Sequence, residues 1–195
     1  SGMFYDRDIK GKWVNAQGII YQDFDMEKHI IDDIPEDEVI VEYLGCIDWG
    51  FEHYGALTVI AYTESGKYYL VDDVARQHMY VEQFWLPEAL KMIENYNINV
   101  FFGDYARVEY MNLFIDNNIP MYNPNKNVVP GIETVASMFK TNRFFILKKA
   151  SERFLYEISN YVWADKIGKE EPVKKDDDIL DCCRYTIHTH QQKFV

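Results

Sequence analysis

The stretch Val39-Ile-Val-Glu-Tyr-Leu-Gly-Cys-Ile-Asp48-Trp-Gly50 constrains this chain more than any other. It is rich in β-branched and aromatic residues, so it reads as a strand, and Gly50 marks its end. A buried strand delivers Asp48 to the edge of a sheet, where an unpaired carboxylate is costly. Asp48 therefore needs a partner, water or a metal ion. Val100-Phe-Phe-Gly-Asp104 repeats the arrangement. If the two strands are adjacent and parallel, both carboxylates emerge at one carboxyl edge, where open α/β sheets place ligands. Taken singly, each Asp also suits a turn or a helix cap.

The remaining elements follow from periodicity. Lys12–Gly18 and Ile19–Phe24 read as two short strands, and the acidic Ile34–Glu38 as a connector. Leu57–Tyr62 and Lys67–Val74 form strands around a Glu64-Ser-Gly66 hairpin turn. Val81–Tyr96 has apolar residues at helical spacing. A strand over Asn97–Gly103, a helix over Val108–Asp116, a short strand over Ile119–Tyr122 and a helix over Gly131–Lys140 come next. A strand over Arg143–Leu147 and helices over Ala150–Asn160 and from Asp176 to about His190 complete the pattern. Three strands in a row, then alternating helix and strand, imply an α/β domain with a mixed β-sheet flanked by helices. Residues 39–195 form this domain, with 1–38 an N-terminal extension packing on it.

Composition excludes several classes. The chain has 195 residues, 48% of them hydrophobic, which suits one globular domain with a sizeable core. No apolar run approaches the roughly 18 residues of a membrane span. A net charge of −12 excludes non-specific attraction to nucleic acid through a basic field, although a site made of carboxylates is itself acidic. Cys46, Cys182 and Cys183 are odd in number and lack CxxC spacing. That argues against a disulfide framework and a structural zinc site, and fits a reducing, intracellular compartment. Ser1-Gly2-Met3 is no signal peptide and reads as a tag remnant. No Walker-type phosphate loop is present, which excludes ATP hydrolysis by that route.

A third source of carboxylates is the last helix. Asp178 and Asp181 are three residues apart and share a face, while Leu180, Cys183 and Ile187 present another to the sheet. Asp176 and Asp177 suit helix capping, and Asp178 can be read the same way. Asp181 lies beyond the first turn among apolar neighbours. Carboxylates from two strand ends and a helix make a hard, oxygen-rich site suited to two divalent ions, Mg²⁺ or Mn²⁺. Two such ions clamp the attacking and leaving oxygens of a phosphodiester.

Around this set, Lys174 and Lys175 either contact a DNA phosphate or stand as a solvated loop pair. Arg184 is placed to pair with the acids and orient a carboxylate. Surface roles are expected for His188 and His190, and core or rim packing for Trp49 and Trp163. Glu52 and Asp73 read as solvated charges or outer acids.

The order of these pieces resembles the nuclease domain of the large terminase subunit of tailed double-stranded DNA bacteriophages. The matching residues are Gly11-Lys-Trp-Val, Gly18-Ile-Ile-Tyr-Gln-Asp-Phe, Gly45-Cys-Ile-Asp48-Trp-Gly50, Gly103-Asp104-Tyr-Ala106 and Asn160-Tyr-Val-Trp163. They continue in Pro172-Val-Lys-Lys-Asp-Asp-Asp178-Ile-Leu-Asp181-Cys-Cys-Arg184-Tyr185. The resemblance implies an RNase H-like fold and a metal-dependent endonuclease that cuts concatemeric phage DNA during genome packaging. Asp48, Asp104 and Asp181 fall on the family's catalytic acids, and Asp178 falls where similar members often have a histidine. Residues Tyr161–Lys175 correspond to a hairpin beside the site. The implied partners are double-stranded DNA, an ATPase motor domain in the full protein, the small terminase subunit and the portal. The implied location is the cytoplasm of the bacterial host, and the chain would be an excised C-terminal domain. Two other readings stand beside this one: another RNase H-like nuclease of the junction resolvase or integrase type, and a non-catalytic metal-binding docking domain.

Overall fold

The computed structural model describes residues 18–150, 152–165 and 171–193. Strands β2 (Ile40–Asp48), β3 (Gly55–Thr63) and β4 (Tyr68–Arg76) form an antiparallel meander. Gly66 takes φ +77° in the β3–β4 turn, a conformation that disfavours any side chain. Strand β5 (Val100–Gly103) joins β2 in parallel, and β6 (Met121–Tyr122) joins β5. On the far side, β7 (Phe144–Leu147) runs parallel to β4, and β1 (Ile30–Ile31) pairs with β7. The result is a mixed seven-stranded sheet in the order β1-β7-β4-β3-β2-β5-β6.

One expected element needs correction, and another lies largely outside the described residues. Most of the Lys12–Gly18 strand lies outside the described residues. Ile19–Phe24 is not a strand: Ile19 makes a single bridge to Val162, and the chain then turns, with the Phe24 N–H donating to Tyr21 O at 3.2 Å. The reason is that Tyr21 and Phe24 are both buried against the Phe139 ring, at 5.6 and 5.2 Å. Residues three apart in a strand would face opposite sides. The turn leads into a short helix α1 (Met26–His29) and β1, neither of which the periodicity marked.

Helix α2 (Leu86–Tyr96) continues a π-helical turn at Val81–Trp85, and Pro87, which has no N–H to donate to that turn, lies where the wider turn gives way to α-helix. Helix α3 spans Val108–Asp116. Helix α4 (Val128–Lys140) starts before the expected Gly131, with Pro130 in its opening turn. Helices α5 (Glu152–Asn160) and α6 (Asp178–Lys193) complete the chain.

Alternation along the strands divides the core. Leu44 and Cys46 of β2, Ala56 and Ile60 of β3, and Val100 and Phe102 of β5 pack under α4, α5 and α6. Ile47, Leu57, Val59 and Phe101 face the other way, toward α2 and α3. By the same parity, Asp48 lies on the α6 face of the sheet.

Candidate active site

Ile47 and Gly103 are in parallel register, so Asp48 and Asp104 leave the sheet at the same level. The Trp49 indole ties the two strand ends together by donating to Asp104 O at 3.2 Å. Helix α6 reaches the same edge through Cys182, whose thiol lies 3.7 Å from Ala56 O, and Ala56 is the β3 residue opposite Asp48. Asp181 precedes Cys182, and Asp178 lies one turn earlier. The carboxyl of Asp48 is pushed well above the ordinary range, first by burial and then by the negative charges of Asp181, Asp178, Asp177 and Asp104.

Each acid other than Asp48 has a cationic neighbour. Lys126 donates to Asp104 at 2.5 Å, and the Ala106 N–H donates to the other Asp104 oxygen at 2.9 Å. Partial burial works the other way, but these bonds hold the Asp104 carboxyl below its usual value. Arg184 Nη2 donates to Asp181 Oδ1 at 2.7 Å, and Tyr185 Oη donates to Oδ2 at 3.1 Å. Arg153 stands 3.6 Å from Asp178, whose pKa is raised to about 6 by burial and then by Asp181, against the pull of its own backbone N–H and of Arg153. Asp177 is likewise pushed up to about 6 by burial and by Asp181 and Asp178. No three His, Cys, Asp or Glu side chains among the described residues are grouped so as to hold a metal ion.

Sequence reasoning missed the residue that anchors α6. Glu157, buried in α5, accepts the N–H groups of Ile179 and Leu180 on one carboxyl oxygen at 2.8 and 3.0 Å. Its other oxygen accepts from Arg153 Nε at 2.8 Å. Glu157, rather than Asp176 or Asp177, thus caps the helix. Burial lifts its pKa to about 8 against the opposing pull of the Leu180 N–H and Arg153. Asp176 instead takes φ +53° and meets Arg153 and Tyr156 at 3.4 and 3.3 Å. The Arg153 guanidinium also lies 3.9 Å from the centroid of the Tyr54 ring. An acid inside an amphipathic helix was the only sequence signal for Glu157, and periodicity reads such a residue as solvated. Lys126 was missed for a related reason, since it sits in a loop with no pattern of its own.

His188 and His190, expected at the surface, are buried. His190 bridges Tyr68 Oη at 2.9 Å and Glu42 at 3.0 Å, and His188 meets Thr134 at 2.8 Å. Helix α6 is a central helix covered by α4, so its last turns have little solvent-facing surface. Asp73, expected as a solvated charge, is half-buried on the α6 side of β4, with burial and Asp72 pushing its pKa to about 7. Glu52 is exposed. Trp49 packs on Tyr110 and Phe114, and Trp163 packs on the core. Lys174 and Lys175 are exposed on the segment leading from the Trp163–Pro172 bridge to α6. Ala164 N–H to Glu171 O and Val173 N–H to Val162 O extend that pairing, and residues 166–170 of the expected hairpin lie outside the described set.

No family model matches the sequence, and no curated protein matches it. Solved structures do. The large terminase of the thermophilic bacteriophage D6E in complex with ADP is 25% identical over 97% of this chain, with a TM-score of 0.80. The match covers 49% of the D6E protein, so this chain spans about half its length. The P22 large terminase nuclease domain matches 91% of this chain and 94% of its own, at 18% identity and a TM-score of 0.71. The large terminase nuclease of the thermophilic phage G20c with bound cobalt matches 91% and 99%, at 15% identity and a TM-score of 0.63. With its mixed sheet and flanking helices, the chain has the RNase H-like fold of the large-terminase nuclease domain.

Proposed function

We propose that this chain is a metal-dependent endonuclease that cuts double-stranded DNA during phage genome packaging. The observation that supports the reading is that β2 and β5 end side by side at Asp48 and Asp104, while Cys182 of α6, next to Asp181, lies against the β3 residue opposite Asp48. An all-carboxylate donor set fits hard divalent ions such as Mg²⁺ or Mn²⁺. Asp48 would hold both ions, with Asp104 and Asp181 on either side and Asp178 as a fourth donor. Bound there, two ions supply charge stabilisation for the attacking and leaving oxygens of a phosphodiester.

The remaining residues position these donors. Arg184 and Tyr185 fix the two oxygens of Asp181, Lys126 and the Ala106 N–H fix Asp104, and Glu157 fixes the start of α6. Lys174 and Lys175, exposed on the segment ahead of α6, would contact a DNA phosphate. In a longer protein, an ATPase motor domain would accompany this one, with the small terminase subunit and portal as partners in the host cytoplasm.

The competing reading is a non-catalytic docking domain, and the pairing of Asp104, Asp178 and Asp181 with internal cations favours it. Nicking of supercoiled plasmid separates the two. Cleavage with Mn²⁺ or Mg²⁺, lost in EDTA and in Asp48→Ala, Asp104→Ala and Asp181→Ala, is expected. Full activity in all three variants would remove the site assignment.

A further inference from the structure

A cavity of about 350 Å³ opens on the face of the sheet opposite α6, at the same carboxyl edge as the acids. Its walls are Trp49, Phe51, Tyr80, Trp85 and Tyr110, with Arg107 as the one cation among the lining residues. Such a volume, with aromatic walls and one basic group, falls in the range of small-ligand sites. Phe51 and Tyr80 are 40% and 61% exposed with ring centroids 5.1 Å apart, so two large rings face solvent where burial would be favourable. Trp85 is buried, and Trp49 is braced edge-on against Phe114.

We propose that this pocket receives one unstacked base of the DNA strand whose phosphate lies at Asp48 and Asp104. The inference rests on the nuclease reading and adds to it a grip on the strand. Three observations carry it. First, Trp49 follows Asp48 directly, about 3.8 Å away along the chain, and its indole holds the Asp104 carbonyl. The acids and the pocket lie on the two faces of one sheet edge, so a strand with its phosphate at the acids would pass over that edge to place a base in the pocket. Second, aromatic faces stack on any base without reading its identity, and Arg107 supplies a positive group for the adjoining phosphate. Third, a chain of net charge −12 has little general attraction for the backbone, whereas stacking does not depend on charge. The neighbouring groove past Tyr80 and Tyr110 carries Glu82, Glu109 and Asp116, which repel phosphates and leave the Arg107 side for the strand to approach.

The test compares the 195-residue chain bound to two short duplexes in Ca²⁺ by fluorescence anisotropy. One carries a single extrahelical adenine and the other an abasic residue at the same bulge. The adenine duplex is expected to bind on the order of tenfold more tightly. The preference should disappear in the Phe51→Ala/Tyr80→Ala double variant, whose folding is checked by circular dichroism. Equal affinity in the wild type, or a preference that survives in the folded double variant, would overturn the pocket assignment. Plasmid nicking with Mn²⁺ on the same preparation keeps the two claims apart. Nicking without base preference overturns the pocket alone, whereas base preference without nicking supports the pocket and overturns the nuclease reading.

Discussion

Replacing Glu157 tests how α6 is held at the sheet edge. One carboxyl oxygen accepts both the Ile179 and Leu180 N–H groups, and the other faces Arg153. Glu157→Ala leaves two buried donors unpaired, each at about 1–3 kcal/mol, and opens a cavity besides. The expected loss is about 3–5 kcal/mol, which lowers Tm by roughly 10 °C in a domain of this size. Glu157→Gln keeps a carbonyl oxygen for the two N–H groups but turns its amide donor toward Arg153 Nε, so at pH 6 it should cost about 1–2 kcal/mol, less than Glu157→Ala. The pH dependence has a definite sign. With a folded pKa of about 8, above the roughly 4.3 of an unfolded glutamate, the native state holds an extra proton between these values. The stability from this group is full below about pH 4.3 and is lost as pH rises toward 8. Glu157→Gln lacks that loss, so its stability relative to wild type rises across the window. Urea unfolding of the three proteins at pH 5, 6.5 and 8.5 reads all of this. Equal small effects of Ala and Gln would mean that Glu157 does not cap α6. Equal large effects would mean that its charge, not its hydrogen bonds, matters.

Other perturbations follow from the same geometry. A Cβ on Gly131 would lie 2.8 Å from Arg184 Cγ, so Gly131→Ala should cost about 1–3 kcal/mol in urea unfolding and weaken the Arg184 grip on Asp181. His190→Ala removes a buried ring from Tyr68 and Glu42 and should cost about 2–4 kcal/mol in the same assay, whereas a surface histidine would cost almost nothing. Lys126→Ala removes a competitor for Asp104, and calorimetry should show Mn²⁺ binding about twofold to fivefold tighter. Weaker binding would instead mean that Lys126 holds Asp104 in its working position.

Six of the seven strands of the sheet, all but β1, and both strand-end acids were legible because β-branched runs, turn glycines and parity carry local information. Leu44, Cys46 and Asp48 alternate with Gly45 and Ile47, and that alternation alone sets the face on which Asp48 emerges. The Asp178/Asp181 pair was legible from helical spacing. What was not legible depends on contacts between elements distant in sequence. Glu157 meets Ile179 22 residues on, and His190 meets Glu42 148 residues away. Burial of a polar side chain by tertiary packing leaves no periodic trace, so Glu157, Asp73, His188 and His190 all looked solvated. The Tyr21–Phe24 turn failed for a related reason, because both rings are held by Phe139, a partner more than a hundred residues away in sequence.

The central claim is that Asp48 sits in a divalent-ion site shared with Asp104 and α6. Anomalous diffraction from crystals soaked in Mn²⁺ tests it most directly. The account expects one or two peaks at about 2.0–2.2 Å from Asp48 oxygens, with Asp104 and Asp181 completing the sphere and Lys126 turned away. Mn²⁺ bound elsewhere, or no peak at the sheet edge at millimolar concentration, would contradict it.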